Sequence, residues 1–543
     1  MYSDVSRGKR ANVPRQLGSA VKDGRPKAST EPGPATLGRA ELFLTVFVTG
    51  AAALTIEILG TRIVGPSFGV SLFVWSALLA VTLGALATGY YVGGVVIDRV
   101  PSPRLLGAAV TASGVLLALV RASSHFVLLS AEGLGPRAGA LVSATVLFAP
   151  SLVALGMVGP ITVRLASSDL RAAGRNVGSI YAISTAGSLV GTMAIGFWVV
   201  PAFETDQILT GTATVLILLG AVSLARRGRR AALVLVFVPA LASAVPKPSL
   251  PPGIEVLARS QSLLGLVEVI DDTNRGARFL RADHSIIGVE FTRDHSPGFS
   301  FIHLLEAIRF LRPEAKNLLE IGLGIGSLPT ILGRRGIDAD VVEIDPAVVR
   351  FAQQYFGFST KGQIHVEDAR TFLRRTDQRY DLIVHDTFTG GTTPEHLLSL
   401  EVLKRIHELL RPGGVLALNF AGYGGGPHAE ATWAVARTMR AVFPTVRIFG
   451  DGPAAAQPGE PRNLVFFASE GPLDFSVPED ATFDGPACEA VLRAFQGWEL
   501  TNPESAGSLI TDAHNPLARL QLPSAEEHFS AMNKLLPIDV WVH

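Results

Sequence analysis

The residues best suited to chemistry are three glycines and three acids in the second half of the chain. Gly322, Gly324 and Gly326 alternate after the apolar run Leu318-Leu319-Glu320-Ile321. Glycine lets a backbone turn sharply and approach a ligand with no Cβ in the way. Glu343 ends the next apolar run, Val341-Val342, about 20 residues further on, where a carboxylate suits the two hydroxyls of a ribose. Asp368 follows Ile364-His365-Val366, and Asp386 follows Asp381-Leu382-Ile383-Val384. Asp386 has a plainer reading as a loop-capping acid at a strand end, and the glycine unit as an ordinary tight turn.

These residues need an alternating frame. Asn317 to Asp345 reads as strand, glycine loop, helix, strand and acid. Pro346 opens a helix, Ile364–Val366 is a strand, and TFLRRT is a helix. Asp381–Val384 is a strand, SLEVLKRIHELL a helix, Arg411-Pro412-Gly413-Gly414 a turn, and Val415–Phe420 a strand. Ligands of open parallel sheets sit at the carboxyl ends of strands, which gathers the glycines and acids around one cleft. The sixth position from Gly322 is Ser327, with Pro329 beyond, so the dinucleotide pattern GxGxxG is not met. EIGLGIG is closer to a site for an adenosylmethionine-type nucleoside.

The rest of the 543-residue chain is of another kind. Residues 1–40 are polar and basic, with Arg7, Lys9, Arg10, Arg15, Lys22, Arg25, Lys27 and Arg39, which predicts a disordered cytoplasmic arm. Residues 41–245 form a membrane domain of about seven helices, with apolar runs near 42–60, 70–97, 104–130, 139–166, 177–201, 206–225 and 231–245. Gly89 with Gly93, and Gly187 with Gly191, stand at a spacing that lets helices approach closely. Arginines recur in alternate links: Arg99 and Arg104; Arg164, Arg171 and Arg175; Arg226, Arg227, Arg229 and Arg230. These read as cytoplasmic, and seven spans then carry the remainder to the other side. The seventh run is short and looks as much like an export signal as a span, so the side of the soluble part stays open. Glu57, within a span, is either functional or an interfacial partner of Arg62.

A Pro-rich linker, 246–253, leads to a small β segment at 254–300 and the α/β domain at 301–543. Formal net charge is zero, which gives no sign of a nucleic-acid partner. Cys488 is the single cysteine, so an intrachain disulfide is excluded. The histidines and Cys488 show no metal-ligand spacing, and no metal is expected.

EIGLGIG, VEID, VEDAR, YDLIVHD and LLRPGG, in this order, resemble the spermidine synthase (polyamine aminopropyltransferase) family, a branch of the adenosylmethionine-methyltransferase fold. GAAALTIEILGTRIVG, GRNVGSIYAISTAGSLVGTMAIGFWVVP and SLITDAHNPLARL resemble the bacterial branch with a multi-span domain ahead of the synthase, so the resemblance runs over about 42–520. It implies a multi-span helical domain, a small β segment and a Rossmann-like domain of class I methyltransferase type. It implies aminopropyl transfer from decarboxylated S-adenosylmethionine to a small amine such as putrescine, at a membrane, with oligomers common. Gly322, Gly324 and Gly326 would pass under the nucleoside, and Glu343 would bind the ribose. Asp368 with Ala369 would face the adenine amino group, and Asp386 would be the catalytic aspartate.

The chain also departs from the pattern. The family's D-S-S/T-D-P reads Asp386-Thr387-Phe388-Thr389, so Thr389 replaces the acid that would hold the far amine. Ile325 stands where an acid is usual, Ser300-Phe301-Ile302 where Tyr-His-Glu is usual, and Leu280-Arg281-Ala282-Asp283-His284 where L-x-D-G is usual. Asp283 and Thr389 are the residues left to contact an acceptor. A methyltransferase using S-adenosylmethionine, and a sensing or transport protein without catalysis, stay open.

Overall fold

The computed structural model describes residues 38–69, 72–166, 173–246, 249–262, 264–452, 459–501, 507–536 and 538–541. The arm expected at 1–40 lies almost wholly outside them.

Among the described residues, five apolar helical stretches are long enough to cross a membrane by length and composition. One of them, Arg104–Ala166, has 63 residues. At ~1.5 Å per residue it is about three times the ~30 Å hydrocarbon core. It folds back at Glu132–Leu134, where Gly135 takes φ 77°, into Arg104–Ala131 and Gly135–Gly156. Ser113 and Ser151 meet across the resulting pair at 2.9 Å. The run expected as a seventh span is built differently. Arg230–Phe237 is a 3₁₀-helix of 8 residues, and Val238–Ser243 is an α-helix of 6. The change falls beside Pro239, which has no N–H to continue the tighter ladder.

The small-residue pairs do bring helices together. A Cβ on Gly187 would overlap the Phe47 carbonyl, and one on Gly191 would lie 2.7 Å from Ala51 Cβ. Gly89 and Gly93 are pressed in the same way against the backbone at Val153 and Met157. No ion pair joins Glu57 to Arg62 among the described residues.

Beyond the linker, β1 (Ile254–Ser262), β2 (Gly265–Asp272), β3 (Ala277–Ala282) and β4 (Ser285–Phe291) make an antiparallel sheet in sequence order. A seven-stranded sheet follows: β5 (Asn317–Ile321), β6 (Asp338–Glu343), β7 (Ile364–Val366), β8 (Tyr380–His385), β9 (Leu410–Tyr423), β10 (Thr445–Gly450) and β11 (Pro461–Ser469). Its order is β10-β11-β9-β8-β5-β6-β7. β5 to β9 run parallel, and β11 is antiparallel to both its neighbours. This is the Rossmann-like α/β arrangement of class I methyltransferase type that the sequence led us to expect. The order reverses between β5 and β8, which opens a crevice at their carboxyl ends. Leu318, Val341 and Leu382 pack on one face of the sheet, and Leu319, Val342 and Ile383 on the other. That alternation is what a strand buried on both faces requires. The turn expected at Arg411–Gly414 is a bulge inside β9, where the register jumps from Tyr380↔Leu410 to Leu382↔Val415.

The four-stranded sheet is fastened to the apolar helices by a buried arginine. Arg281, 1% exposed at its side chain, pairs with Glu268 at 2.9 Å. It also donates to the carbonyls of Pro66 (3.1 Å), Trp541 (3.0 Å) and Val540 (2.6 Å). Phe529 stacks on Phe68, with centroids 6.1 Å apart. Arg281→Met removes one partner of a buried pair, which costs about 3 kcal/mol or more. Its thermal unfolding in detergent is expected to fall clearly below that of wild type; an unchanged Tm would mean that Arg281 does not hold this junction.

Candidate active site

Backbone geometry builds the floor of the cleft. Gly322, Gly324 and Gly326 take φ of 89°, 55° and 76°. A Cβ on Gly322 would run into the Asp386 carbonyl, and one on Gly324 would lie 2.9 Å from the Ile287 carbonyl. Gly326 does a different task from its neighbours: it caps the Ser327–Arg334 helix in the left-handed conformation and does not line the cavity. The cavity measures about 680 Å³, a size suited to a nucleoside-bearing ligand. Gly322, Gly324, Glu343, Asp368, Ala369, Asp386, Asp283 and Thr389 all line it.

The acids are held by the chain itself. Glu343 accepts from the Leu323 N–H at 3.0 Å and from the Asp345 N–H at 2.9 Å. Burial raises its pKa, and these N–H bonds offset part of the rise. Its carboxylate therefore ties the glycine loop to the tip of β6. Asp368 caps the Ala369–Arg375 helix, accepting from the Thr371 N–H at 2.8 Å, with His396 Nε2 at 3.3 Å. Burial pushes its pKa up, but the Thr371 and His396 bonds outweigh that, and the carboxylate stays below its ordinary range.

Asp386 stands at the end of β8. Its N–H donates to the Ile321 carbonyl at 2.8 Å, and its Oδ1 accepts from Asn419 Nδ2 at 2.9 Å. Loss of water around it pushes its pKa up to about 6, against the pull of Asn419. Below the loop lies Glu320, 3% exposed, with one carboxyl oxygen unpartnered. Burial and then the charge of Asp386 hold its pKa well above the usual range. The two carboxyls therefore lie near enough for the charge of Asp386 to add to the rise at Glu320.

Asp283 lies in the β3–β4 turn at φ 46°, accepting from the Leu266 N–H at 3.0 Å. Burial raises its pKa against that bond and against the charges of Arg281 and Arg62. Thr389 is exposed and bridges to Thr392 through N–H···O at 2.7 Å.

Several cleft residues were not anticipated. Glu320 was legible as a charge inside an apolar strand. Glu527 and His528 come from the Leu522–Leu535 helix, which covers the cleft from far along the chain, and no local pattern marks them. His528 Nε2 sits 3.0 Å from Ser285 Oγ, and burial pushes its pKa down to about 4. Phe299 and Phe301 stack at 5.5 Å along one wall. His365 packs beside Phe372, at 4.5 Å between ring centroids, away from the cavity lining. His303, Glu306 and Cys488 come together outside the cleft, although their spacing gave no sign of it. Glu306 is already paired with Arg309 at 3.0 Å and accepts from Cys488 Sγ at 3.1 Å, which reads as a structural knot.

Residues 306–449 match the spermine/spermidine synthase domain, a narrower range than the resemblance noted in the sequence. The chain is similar to the N-terminal histidine N-methyltransferase of Emericella nidulans, 33% identical over 326 residues, which cover 53% of this chain and 58% of that protein. It is also similar to the polyamine aminopropyltransferase of Vibrio vulnificus, 38% identical over 128 residues, 22% of this chain and 43% of that one. The chain thus spans about half the length of these curated relatives. Among solved structures, a probable spermidine synthase from Corynebacterium glutamicum aligns with 49% of this chain and 97% of its own, at 17% identity and a TM-score of 0.38.

Proposed function

We propose, from the match of residues 306–449 to the spermine/spermidine synthase domain, that this transferase moves a methyl group from S-adenosylmethionine to a nitrogen nucleophile, on a multi-pass membrane protein. The observation that carries this reading is the acceptor side of the cleft. Asp386 is the one acid in the Asp386–Thr389 stretch, and Thr389 offers a hydroxyl where a diamine's far ammonium would need a carboxylate. The longer alignment with a nitrogen methyltransferase supports the same choice.

The roles follow from position. Gly322 and Gly324 leave room for the donor's chain, Glu343 faces the ribose hydroxyls, and Asp368 with Ala369 faces the adenine edge. The nitrogen lone pair attacks the methyl carbon, the C–S bond breaks, and its electrons return the sulfonium to a neutral thioether. The nitrogen then gives its surplus proton to the Asp386 carboxylate. Desolvation in the cleft favours the transfer, because the sulfonium charge is spread over sulfur and nitrogen as the new bond forms.

Aminopropyl transfer from decarboxylated S-adenosylmethionine to a small amine is the second reading. It is favoured by the synthase domain itself and by the acids Glu460 and Glu527 at the rim, which suit a polycation. The two are separated by mixing the whole protein in nanodiscs with either donor and with a histidine-terminated peptide or putrescine. Methylated peptide supports the first reading, and spermidine with methylthioadenosine overturns it.

A pH profile tests the role of Asp386 in either case. The group must be ionised to take a proton, and its pKa is about 6. Turnover is therefore expected to rise through pH 6 and level off by about pH 7. A profile flat from pH 5 to 7 would remove Asp386 from the proton path.

A further inference from the structure

We infer that the catalytic cleft stands on the non-cytoplasmic face of the membrane, so that its acceptor is the nitrogen of an exported molecule, such as a polypeptide terminus, rather than a cytosolic diamine. The choice of acceptor rests on the transferase reading above; the side does not.

The soluble domain touches only one end of the helix bundle among the described contacts. Arg281 and Trp541 meet the end of the first helix at Pro66 and Ser67. The Thr205 N–H, at the start of its helix, donates to Gln261 of β1 at 3.3 Å. Arg137, just after the Glu132–Leu134 turn, pairs with Glu526 at 2.7 Å. The cleft itself reaches Gly69, the cap of the first helix.

The opposite end of the same helices is the arginine-rich one. Arg227 bonds Glu41 at 3.0 Å, which places the start of the first helix beside the end of Thr205–Ala225. Arg164 faces Asp98 at 3.8 Å there. Arg39, Arg99, Arg104, Arg175, Arg226, Arg229 and Arg230 belong to these ends by their places in the helices. Lys and Arg in short links mark the cytoplasmic side. The domain is thus attached to the other side.

The chain must then cross once more between Arg229 and the linker, and the segment Arg230–Ser243 does so. It starts beside the arginine cluster and ends with Ser243 Oγ 3.3 Å from Thr210 Oγ1, near the start of the antiparallel Thr205–Ala225 helix. Eight 3₁₀ residues at ~2.0 Å and six α residues at ~1.5 Å give roughly 25 Å, close to the ~30 Å core. The 3₁₀ stretch is thus how a segment too short for an α-helical span reaches the far side. It follows that the methyl donor, an S-adenosylmethionine-type nucleoside, is drawn on that face.

The test is cysteine labelling of the full chain in bacterial cells. In a Cys488→Ala background, Lys361→Cys puts a thiol on the soluble domain, where Lys361 is 82% exposed at its side chain. Arg229→Cys marks the arginine-rich end. A membrane-impermeant maleimide added to intact cells with a permeable outer layer is expected to label Lys361→Cys to the level reached after detergent. Arg229→Cys should label only after lysis. The reverse pattern overturns the inference. Should the Cys488→Ala background fold poorly, the wild-type chain with alkaline phosphatase or green fluorescent protein at its C-terminus gives the same decision: active phosphatase and dark fluorescent protein support it, the opposite overturns it. Neither readout depends on turnover, so a failed topology and a failed reaction are told apart.

Discussion

Asp386→Asn is expected to lower turnover by about 10²–10⁴-fold, the range for loss of a positioned acid–base group, while donor affinity stays close to wild type. Asn keeps the shape and can still pair with Asn419, but it cannot take a proton. The same change should stabilise the protein at neutral pH. The folded-state pKa of Asp386, about 6, lies above its ordinary value of about 3.9. The folded state therefore binds the proton more tightly, and this group weakens folding as pH rises from about 4 to 6. Asn removes that penalty. The Tm of the variant should exceed that of wild type at pH 7, with the gap closing towards pH 4. Turnover within tenfold of wild type would leave Asp386 a loop-capping acid.

Gly322→Ala should abolish donor binding and cost the fold more than about 2 kcal/mol. The φ of 89° alone is charged about 1–2 kcal/mol for an L-residue. The added methyl also overlaps the Asp386 carbonyl, which is backbone and cannot swing away. Relief would have to part the tips of β5 and β8, the two strands between which the cleft opens. Gly333→Ala is the control: it sits in the Ser327–Arg334 helix with open space around a Cβ. It should bind donor normally and be slightly more stable. Calorimetric titration and thermal unfolding of both variants check this; equal donor affinity for Gly322→Ala and wild type would show that the glycine loop does not cradle the ligand.

Much of the soluble domain could be read in order along the chain because its signals are local. Short apolar runs, glycines at turns and acids at strand tips are set by neighbouring residues, and they located every strand from β5 to β9. The glycine pairs of the long apolar helices were legible for the same reason, since small residues at a spacing of four let such helices approach closely. What escaped was non-local. The Leu522–Leu535 helix brings Glu527 and His528 over the cleft from more than 130 residues beyond Asp386, and nothing in its own sequence says what it covers. The bulge at Arg411–Gly414 read as a turn because Pro and Gly mark both, and only pairing with β8 distinguishes them. The role inferred for Arg230–Ser243 was left open because its 3₁₀ geometry, which would set its reach, is not marked by any pattern in the sequence. Arg281 looked like a departure from a loop motif, yet its charge is what joins the soluble domain to Pro66 and Trp541.

The most direct test of the central claim is which sulfonium nucleoside the whole protein uses. Isothermal titration of the full chain in nanodiscs with S-adenosylmethionine and with its decarboxylated form comes first. Mass analysis of products with a histidine-terminated peptide follows. Methyl transfer to nitrogen predicts preference for S-adenosylmethionine, a singly methylated peptide and release of S-adenosylhomocysteine. Preference for the decarboxylated donor, with an aminopropylated amine and methylthioadenosine as products, would contradict it.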